Sequence, residues 1–159
     1  MKYSILCVGK IKERFFLQAI QEYTKRMSRY AKVEIIEVSD EKTPDRASEV
    51  QEDKIREREG ERLLEKVKDS MYTIALDLQG EEMDSLSFAD HLNNCMLQGK
   101  SHLAFLIGGS LGLSRSILDQ CDERLCFSKF TFPHQLMRVI LLEQIYRANR
   151  IINHEPYHK

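Results

Sequence analysis

Two stretches of the chain carry residues whose types and spacing could do chemistry. In HLAFLIGGSLGL an almost unbroken apolar run of strand length, His102 to Ile107, stops at Gly108-Gly109. Gly112 follows, then Ser114, a residue type that caps helices, ahead of SRSILDQ. A strand that runs into a glycine-rich turn and a helix leaves backbone N–H and C=O groups facing a crevice at the strand's carboxyl end, where open α/β sheets bind small molecules. In the ending NHEPYHK, His154, Tyr157, His158 and Lys159 fall within six residues. Chain ends usually fray, but this mixture of aromatic and imidazole groups suits stacking on an unpaired base and hydrogen-bonding to it. His154-x3-His158 has a metal-ligand spacing, yet Pro156 opposes a regular helix carrying both, so no metal is expected. Glu143 and Arg147, four apart in the favoured order, serve as well for an intrahelical pair as for a substrate contact.

The glycines alone do not choose a ligand, and a plain tight turn accounts for them equally well. A dinucleotide fold sets GxGxxG after the first strand with an acid about 20 positions later. Here the first strand ends only in Gly9-Lys10, and the glycines follow the fourth. No GxxxxGK[ST] is present, which excludes a P-loop. Two further apolar-to-polar turns fall at strand ends, one after Leu76 and one at Phe127-Ser128-Lys129-Phe130-Thr131-Phe132. Three such ends meeting at one crevice would enclose a ligand mainly with backbone groups.

The elements that must position these turns follow from periodicity. Strands are expected at Met1 to Val8, Lys32 to Val38, Tyr72 to Leu78 with a closing turn at Gln79-Gly80, His102 to Ile107, and Arg124 to Phe127. Phe15, Phe16, Ala19, Ile20, Tyr23, Met27 and Tyr30 recur at three- and four-residue steps, which predicts an amphipathic helix over about residues 13–30 with a basic outer face. Residues 49–68, dense in alternating charge, predict a solvated helix without chemistry, weakened by about 1 kcal/mol at Gly60 relative to alanine. Ser87-x-x-Asp90 predicts a capping box opening a helix that Gly99 closes. A short helix is expected from about Ser114 to Gln120, and the last helix starts at Pro133. That helix is apolar nearly all round through Leu136 to Leu142 and at Ile145 and Tyr146, so it is buried in the core or against a second copy, with a homodimer the economical reading. The alternation of strands and helices gives one α/β domain with a mostly parallel sheet flanked by helices.

Composition narrows the partners. A net charge of −1 opposes a general polyanion binder, but residues 1–30 sum to +5 and residues 128–159 to +3, leaving −9 between them. Two basic segments folded together could attract nucleic acid despite the acidic remainder, because screening acts over roughly 8 Å at physiological salt. Cys7, Cys95, Cys121 and Cys126 show no CxxC spacing; they read as reduced thiols, with Cys7 and Cys126 as small core residues of strands. With no signal-like segment and no long apolar span, a cytoplasmic protein without a membrane partner is expected.

The strings FLIGGSLGL, LCFSKFTFPHQLMRVILLEQIYRA and NHEPYHK, with ILCVGKIKE and EYTKR near the start, resemble the bacterial ribosomal large-subunit pseudouridine N3-methyltransferase family, a small single-domain branch of the SPOUT methyltransferases. The resemblance covers essentially the whole chain. It implies methylation of N3 of a pseudouridine in 23S rRNA with S-adenosylmethionine, by a homodimer acting on the large subunit or assembled ribosome, and a C-terminal chain threaded into a trefoil knot, a topology no pattern argument suggests. Carried over position by position, it implies cofactor contacts at Leu76, Gly108, Phe127, Ser128, Lys129, Phe130, Thr131 and Phe132. It also implies catalytic or RNA-contacting roles for Arg147, His154, Tyr157, His158 and Lys159. Lys159 stands where some members have arginine, which keeps the charge and loses the planar fork.

With the methyl group already activated on sulfur, such an enzyme aligns N3 with it and removes the N3 proton. His158 is the leading general base, Tyr157 stacks on or orients the base, and Arg147 and Lys159 hold phosphates or polarise a carbonyl. One chain's turns would then work with its partner's tail. Two other functions compete: a nicotinamide-binding enzyme using Gly108, Gly109 and Gly112, and a non-catalytic rRNA-binding or assembly module whose basic ends grip phosphates.

Overall fold

Strands that are buried on both faces need no polar side, and the unbroken apolar runs of this chain line up accordingly as a parallel sheet. The computed structural model describes all 159 residues. In chain order the elements are β1 (Lys2–Val8), α1 (Arg14–Met27), β2 (Lys32–Val38), α2 (Glu49–Leu64), β3 (Tyr72–Glu82), α3 (Ser85–Leu97), β4 (His102–Ile107), α4 (Arg115–Gln120), β5 (Glu123–Cys126) and α5 (His134–Ile152). The sheet order is β2-β1-β4-β3-β5 with every pair parallel, so β1 and β4 lie inside it.

Alternation along β1 sends Tyr3, Ile5 and Cys7 into the larger core, with Phe105 of β4, Leu92 of α3 and Leu141 of α5. Leu6 and Val8 face the opposite way, onto Leu63 of α2, Leu106 and Met71. α5 lies against both α1 and α3, and none of its residues is exposed. The chain itself therefore covers much of the apolar circumference for which the sequence made a second copy the economical reading, while Leu136, Met137, Val139 and Ile140 stay half-buried.

Several elements differ from expectation. Gln79-Gly80 does not end β3: Leu76 and Glu81 both pair with Leu125, so Asp77 to Gly80 loop out as a bulge before the strand resumes. A Cβ on Gly80 would lie 2.7 Å from backbone atoms of Arg124 and Leu125, which is why glycine stands there. α3 opens not at a Ser87–Asp90 box but at Asp84, whose carboxylate accepts the Ser87 N–H at 2.7 Å. α2 stops at Leu64 and begins with a reciprocal cap between Ser48 and Gln51. Pro133 is the N-cap of α5 rather than its first helical residue, and β5 sits one residue earlier than Arg124 to Phe127. Phe15, expected on the buried face of α1, is 63% exposed and packs on Phe16.

Candidate functional site

The carboxyl ends of β3, β4 and β5 open into one cavity of about 700 Å³. The β3 bulge contributes Leu76 to Leu78, the turn after β4 contributes Gly108 to Leu113, and the segment after β5 contributes Phe127 to Phe132, apart from Lys129. The three turns singled out in the sequence thus converge. Of the expected cofactor positions, Leu76, Gly108, Phe127, Ser128, Phe130, Thr131 and Phe132 line the cavity. Lys129 does not; its ammonium points to solvent, 3.9 Å from Glu82.

The β4 turn is tight for a backbone reason. A Cβ on Gly108 would sit 2.6 Å from the carbonyl carbon of Gly112, and Gly112 itself takes φ +77°, which other residues rarely adopt. Gly112 N–H donates to Gly109 O at 3.0 Å, and Ser114 then caps α4 by accepting the Ile117 N–H at 3.3 Å. On the far wall the start of α5 is pinned by Arg138, whose side chain is 0% exposed. Its guanidinium donates to Glu37 Oε1 at 2.7 Å, Gly9 O at 2.8 Å and Val8 O at 3.0 Å, tying α5 to the ends of β1 and β2. His134 lines the cavity one turn earlier; burial and the Arg138 cation hold its imidazole below the usual histidine range.

Two carboxylates, one lining this cavity and one behind its glycine turn, stood outside the sequence reading. Asp77, on the bulge, lines it with a buried Oδ2 that has no hydrogen-bond partner. Glu59 of α2 is 4% exposed and lies behind the glycine turn, with Oε2 2.7 Å from the point where a Gly109 Cβ would stand. Its Oε1 accepts the Glu41 N–H at 3.0 Å, while Oε2 has no partner. Burial pushes the Glu59 carboxyl up from its ordinary range. The helix expected to be solvated is in fact the backstop of the turn: beside Glu59, Gly60 abuts Ile117, and Glu57 accepts from Ser116 at 2.7 Å. The usable signal was Ile55, Glu59 and Leu63 at four-residue steps, a buried stripe through the charge run.

The tail forms a second cluster. Glu143 accepts from Arg147 Nη2 at 2.6 Å and from the Tyr157 hydroxyl at 3.1 Å, and the Arg147 guanidinium lies 4.7 Å from the Tyr157 ring centre. Burial first, then the Glu143 charge, raise the Tyr157 phenol, while the hydrogen bond to Glu143 raises Arg147. Arg147 Nη1 lies 3.4 Å from His158 Nδ1, within reach for the guanidinium to donate to that nitrogen. His154 stays apart from them: at φ +54° it is the left-handed residue that ends α5, with its N–H donating to Ile151 O and that of Glu155 to Arg150 O, both at 2.9 Å. Lys159 is exposed and makes no ion pair. None of these five residues lines the cavity.

One set of side chains has the donor chemistry of a metal site. His91, Cys95 and Glu123 bring their donor atoms within 4.8 Å of one another. Each of the first and last already has a protein partner, since His91 Nε2 and Glu123 Oε2 are 2.7 Å apart and the Tyr72 hydroxyl donates to Glu123 at 2.5 Å. All four cysteines are free, and no helix is long and apolar enough to cross a membrane.

A family model described as "Predicted SPOUT methyltransferase" matches residues 1–158. Two curated proteins named ribosomal RNA large subunit methyltransferase H, from Clostridium tetani and Clostridium botulinum strain Hall, are 56% and 57% identical to the chain over 159 residues, all of both partners. The Clostridium perfringens SM101 protein named ribosomal RNA large subunit methyltransferase H 1 is 56% identical over the same span. Among solved structures, a probable methylase family protein from Haemophilus influenzae superposes with a TM-score of 0.55 at 15% identity, over 99% of this chain and 70% of that one. At that identity the likeness speaks for the fold alone.

Proposed function

This chain belongs to the SPOUT methyltransferase family, and from that we propose that it methylates N3 of a pseudouridine in 23S rRNA, on the large subunit or assembled ribosome in the cytoplasm, with S-adenosylmethionine as donor. The observation that carries the reading is the convergence of three backbone turns on one cavity of about 700 Å³ at the strand ends, in a chain that matches rRNA methyltransferases from end to end.

The residues present fit that donor. Gly108 lets the turn close on the Gly112 backbone at the edge of the cavity, and the buried Asp77 oxygen without a partner suits a ligand that carries positive charge. Leu76, Gly108 and the backbone from Phe127 to Phe132 would hold it, with Phe130, 79% exposed, and Leu78 forming an apolar rim that a ligand or partner would cover. When bound, S-adenosylmethionine supplies a methyl group already activated on a sulfonium. The protein's own work is to orient N3 of the base and remove its proton. Tyr157 and Arg147, held together by Glu143, present a ring face and a planar cation to the base, Lys159 reaches a phosphate, and His158 takes the proton. Because Nδ1 of His158 faces Arg147 in the free protein, base binding must draw Arg147 away before that nitrogen can accept.

Separation of the tail from the cavity within one chain supports a homodimer in which one protomer's turns serve the partner's tail. A mixture of a Gly108→Ala chain with a His158→Ala chain should recover activity that neither homodimer has; absence of recovery removes the shared site. The function itself is tested by titrating the purified protein with S-adenosylmethionine and with NAD⁺, then mapping the product on intact ribosomes and on free 23S rRNA. Saturable binding of the sulfonium alone and a methyl group on N3 of pseudouridine are expected. Binding of NAD⁺ instead, or salt-dependent rRNA binding without methylation, would overturn the assignment.

A further inference from the structure

In the whole chain only two buried carboxylate oxygens lack a hydrogen-bond partner, Asp77 Oδ2 and Glu59 Oε2; Asp77 lines the cavity, and Glu59 lies behind the Gly109 turn that borders it. A buried carboxylate oxygen left unpaired is costly, and native proteins retain one where a ligand completes it. Asp77 reaches the cavity only because the four-residue bulge lifts it out of β3, and the bulge is possible only because Gly80 lets the chain press onto Arg124 and Leu125. Glu59 sits behind Gly109, with no side chain between its carboxylate and that residue. Arg138 is committed to Glu37 and the β1 carbonyls, and Arg62 to Glu41 and Ser39 O. Neither Asp77 nor Glu59 forms an ion pair within the protein.

The donor proposed above and its product differ by one charge. S-adenosylmethionine carries a sulfonium, and the thioether left after transfer does not. Geometry and charge together point to a role for Asp77, reinforced by Glu59 from behind Gly109, in distinguishing the cationic donor from the neutral thioether product, and we propose it as the determinant that lets fresh donor displace product. This rests on the donor reading. Two unit charges a few ångströms apart in a partly desolvated wall interact far more strongly than in water, whereas the shape contacts made by the glycine turn are the same for both ligands.

The test is calorimetric titration of the full-length protein at pH 8 with S-adenosylmethionine, S-adenosylhomocysteine and sinefungin, which carries an ammonium in place of the sulfonium. Asp77→Asn is expected to weaken S-adenosylmethionine and sinefungin by about tenfold and to leave S-adenosylhomocysteine within about twofold. Glu59→Gln should do the same by a smaller factor, since it acts through the Gly109 backbone, and it guards against a folding defect peculiar to the bulge. In turnover assays the selective variants should show stronger inhibition by product relative to the Michaelis constant for donor. Equal weakening of all three ligands, or no change in any, overturns the role for these carboxylates. Failure of the wild-type protein to bind either thioether or sulfonium would instead sink the donor reading on which it rests.

Discussion

Replacing Gly60 with alanine in α2 pits two effects of opposite sign against each other. Helix propensity alone favours alanine by about 0.5–1 kcal/mol. In the folded chain, however, the new Cβ would stand 2.3 Å from Ile117 Cγ1, 2.9 Å from Cδ1 and 3.3 Å from Cβ. Ile117 is 1% exposed, so rotation about χ1 has nowhere to go, and α4 must move away from α2. Overpacking of this kind costs about 1–3 kcal/mol. The net result is a loss of about 1–2 kcal/mol, roughly 2–8 °C in melting temperature for a domain of this size. Urea unfolding followed by circular dichroism measures it. On an Ile117→Ala background, where only the Cβ contact at 3.3 Å remains, the sign should reverse and Gly60→Ala should stabilise by up to about 1 kcal/mol. A Gly60→Ala protein more stable than wild type, or a double-mutant cycle with no coupling, would refute the view of α2 as backstop to the glycine turn.

Three other outcomes follow from the same geometry. Gly108→Ala brings its Cβ against Gly112 backbone atoms that no rotamer change can move, so the affinity for methyl donor should fall by at least about tenfold, ~1.4 kcal/mol, in a calorimetric titration. Arg138→Met leaves the Val8 and Gly9 carbonyls and Glu37 without their shared partner and should cost about 3 kcal/mol or more in urea unfolding, with Arg138→Lys unable to restore three contacts from one ammonium. Burial raises the Glu59 carboxyl above its unfolded value, so the folded chain keeps a proton that the unfolded chain has lost. Stability from this group is complete below the ordinary glutamate range and fades as pH rises through the raised value. Glu59→Gln should flatten that part of the stability–pH curve above pH 4.5, and an unchanged curve would count against a buried ionisable Glu59.

What could be read in the sequence and what could not divide along a physical line. β1 and β4 were legible almost to the residue, because a strand buried on both faces shows as a nearly bare apolar run and glycine ends it; β2, at the sheet edge, was legible from its β-branched Val33, Ile35, Ile36 and Val38 between polar residues. The convergence of the three turns was legible too, since parallel strands all present their carboxyl ends on one side. Gly80 was misread because a glycine that admits a neighbouring backbone into a bulge has the same letter as one that turns the chain. Glu59 and Arg138 were hidden for a different reason. Each is buried by partners more than fifteen positions away, Glu41 and Gly109 for one and Val8, Gly9 and Glu37 for the other, and charge patterning along a helix does not carry that information. The cap formed by His154 was hidden for a local reason: its left-handed backbone is a structural duty that its imidazole does not reveal.

The distribution of charge changes meaning once partners are known. Of the basic residues that made the two ends of the chain positive, Lys2 is paired with Glu34, Arg26 with Glu22, Arg29 and Arg150 with Glu155, Arg147 with Glu143, and Arg138 is buried on Glu37. Those left exposed and outside any ion pair in the N-terminal segment are Lys10, Lys12, Arg14 and Lys25, and the first three follow directly on Gly9 at the carboxyl end of β1. That is the end of the sheet on which the cavity opens. A polyanion approaching the molecule therefore meets uncommitted positive charge beside the cavity, while Arg147 and Arg150 are held in ion pairs and Lys159 alone is free at the tail. In the proposed reaction those pairs would be exchanged for contacts to the base, so attraction and recognition would fall largely to different segments. Salt should weaken the first far more than the second, because exposed charges are screened over about 8 Å and desolvated hydrogen-bonded pairs are not.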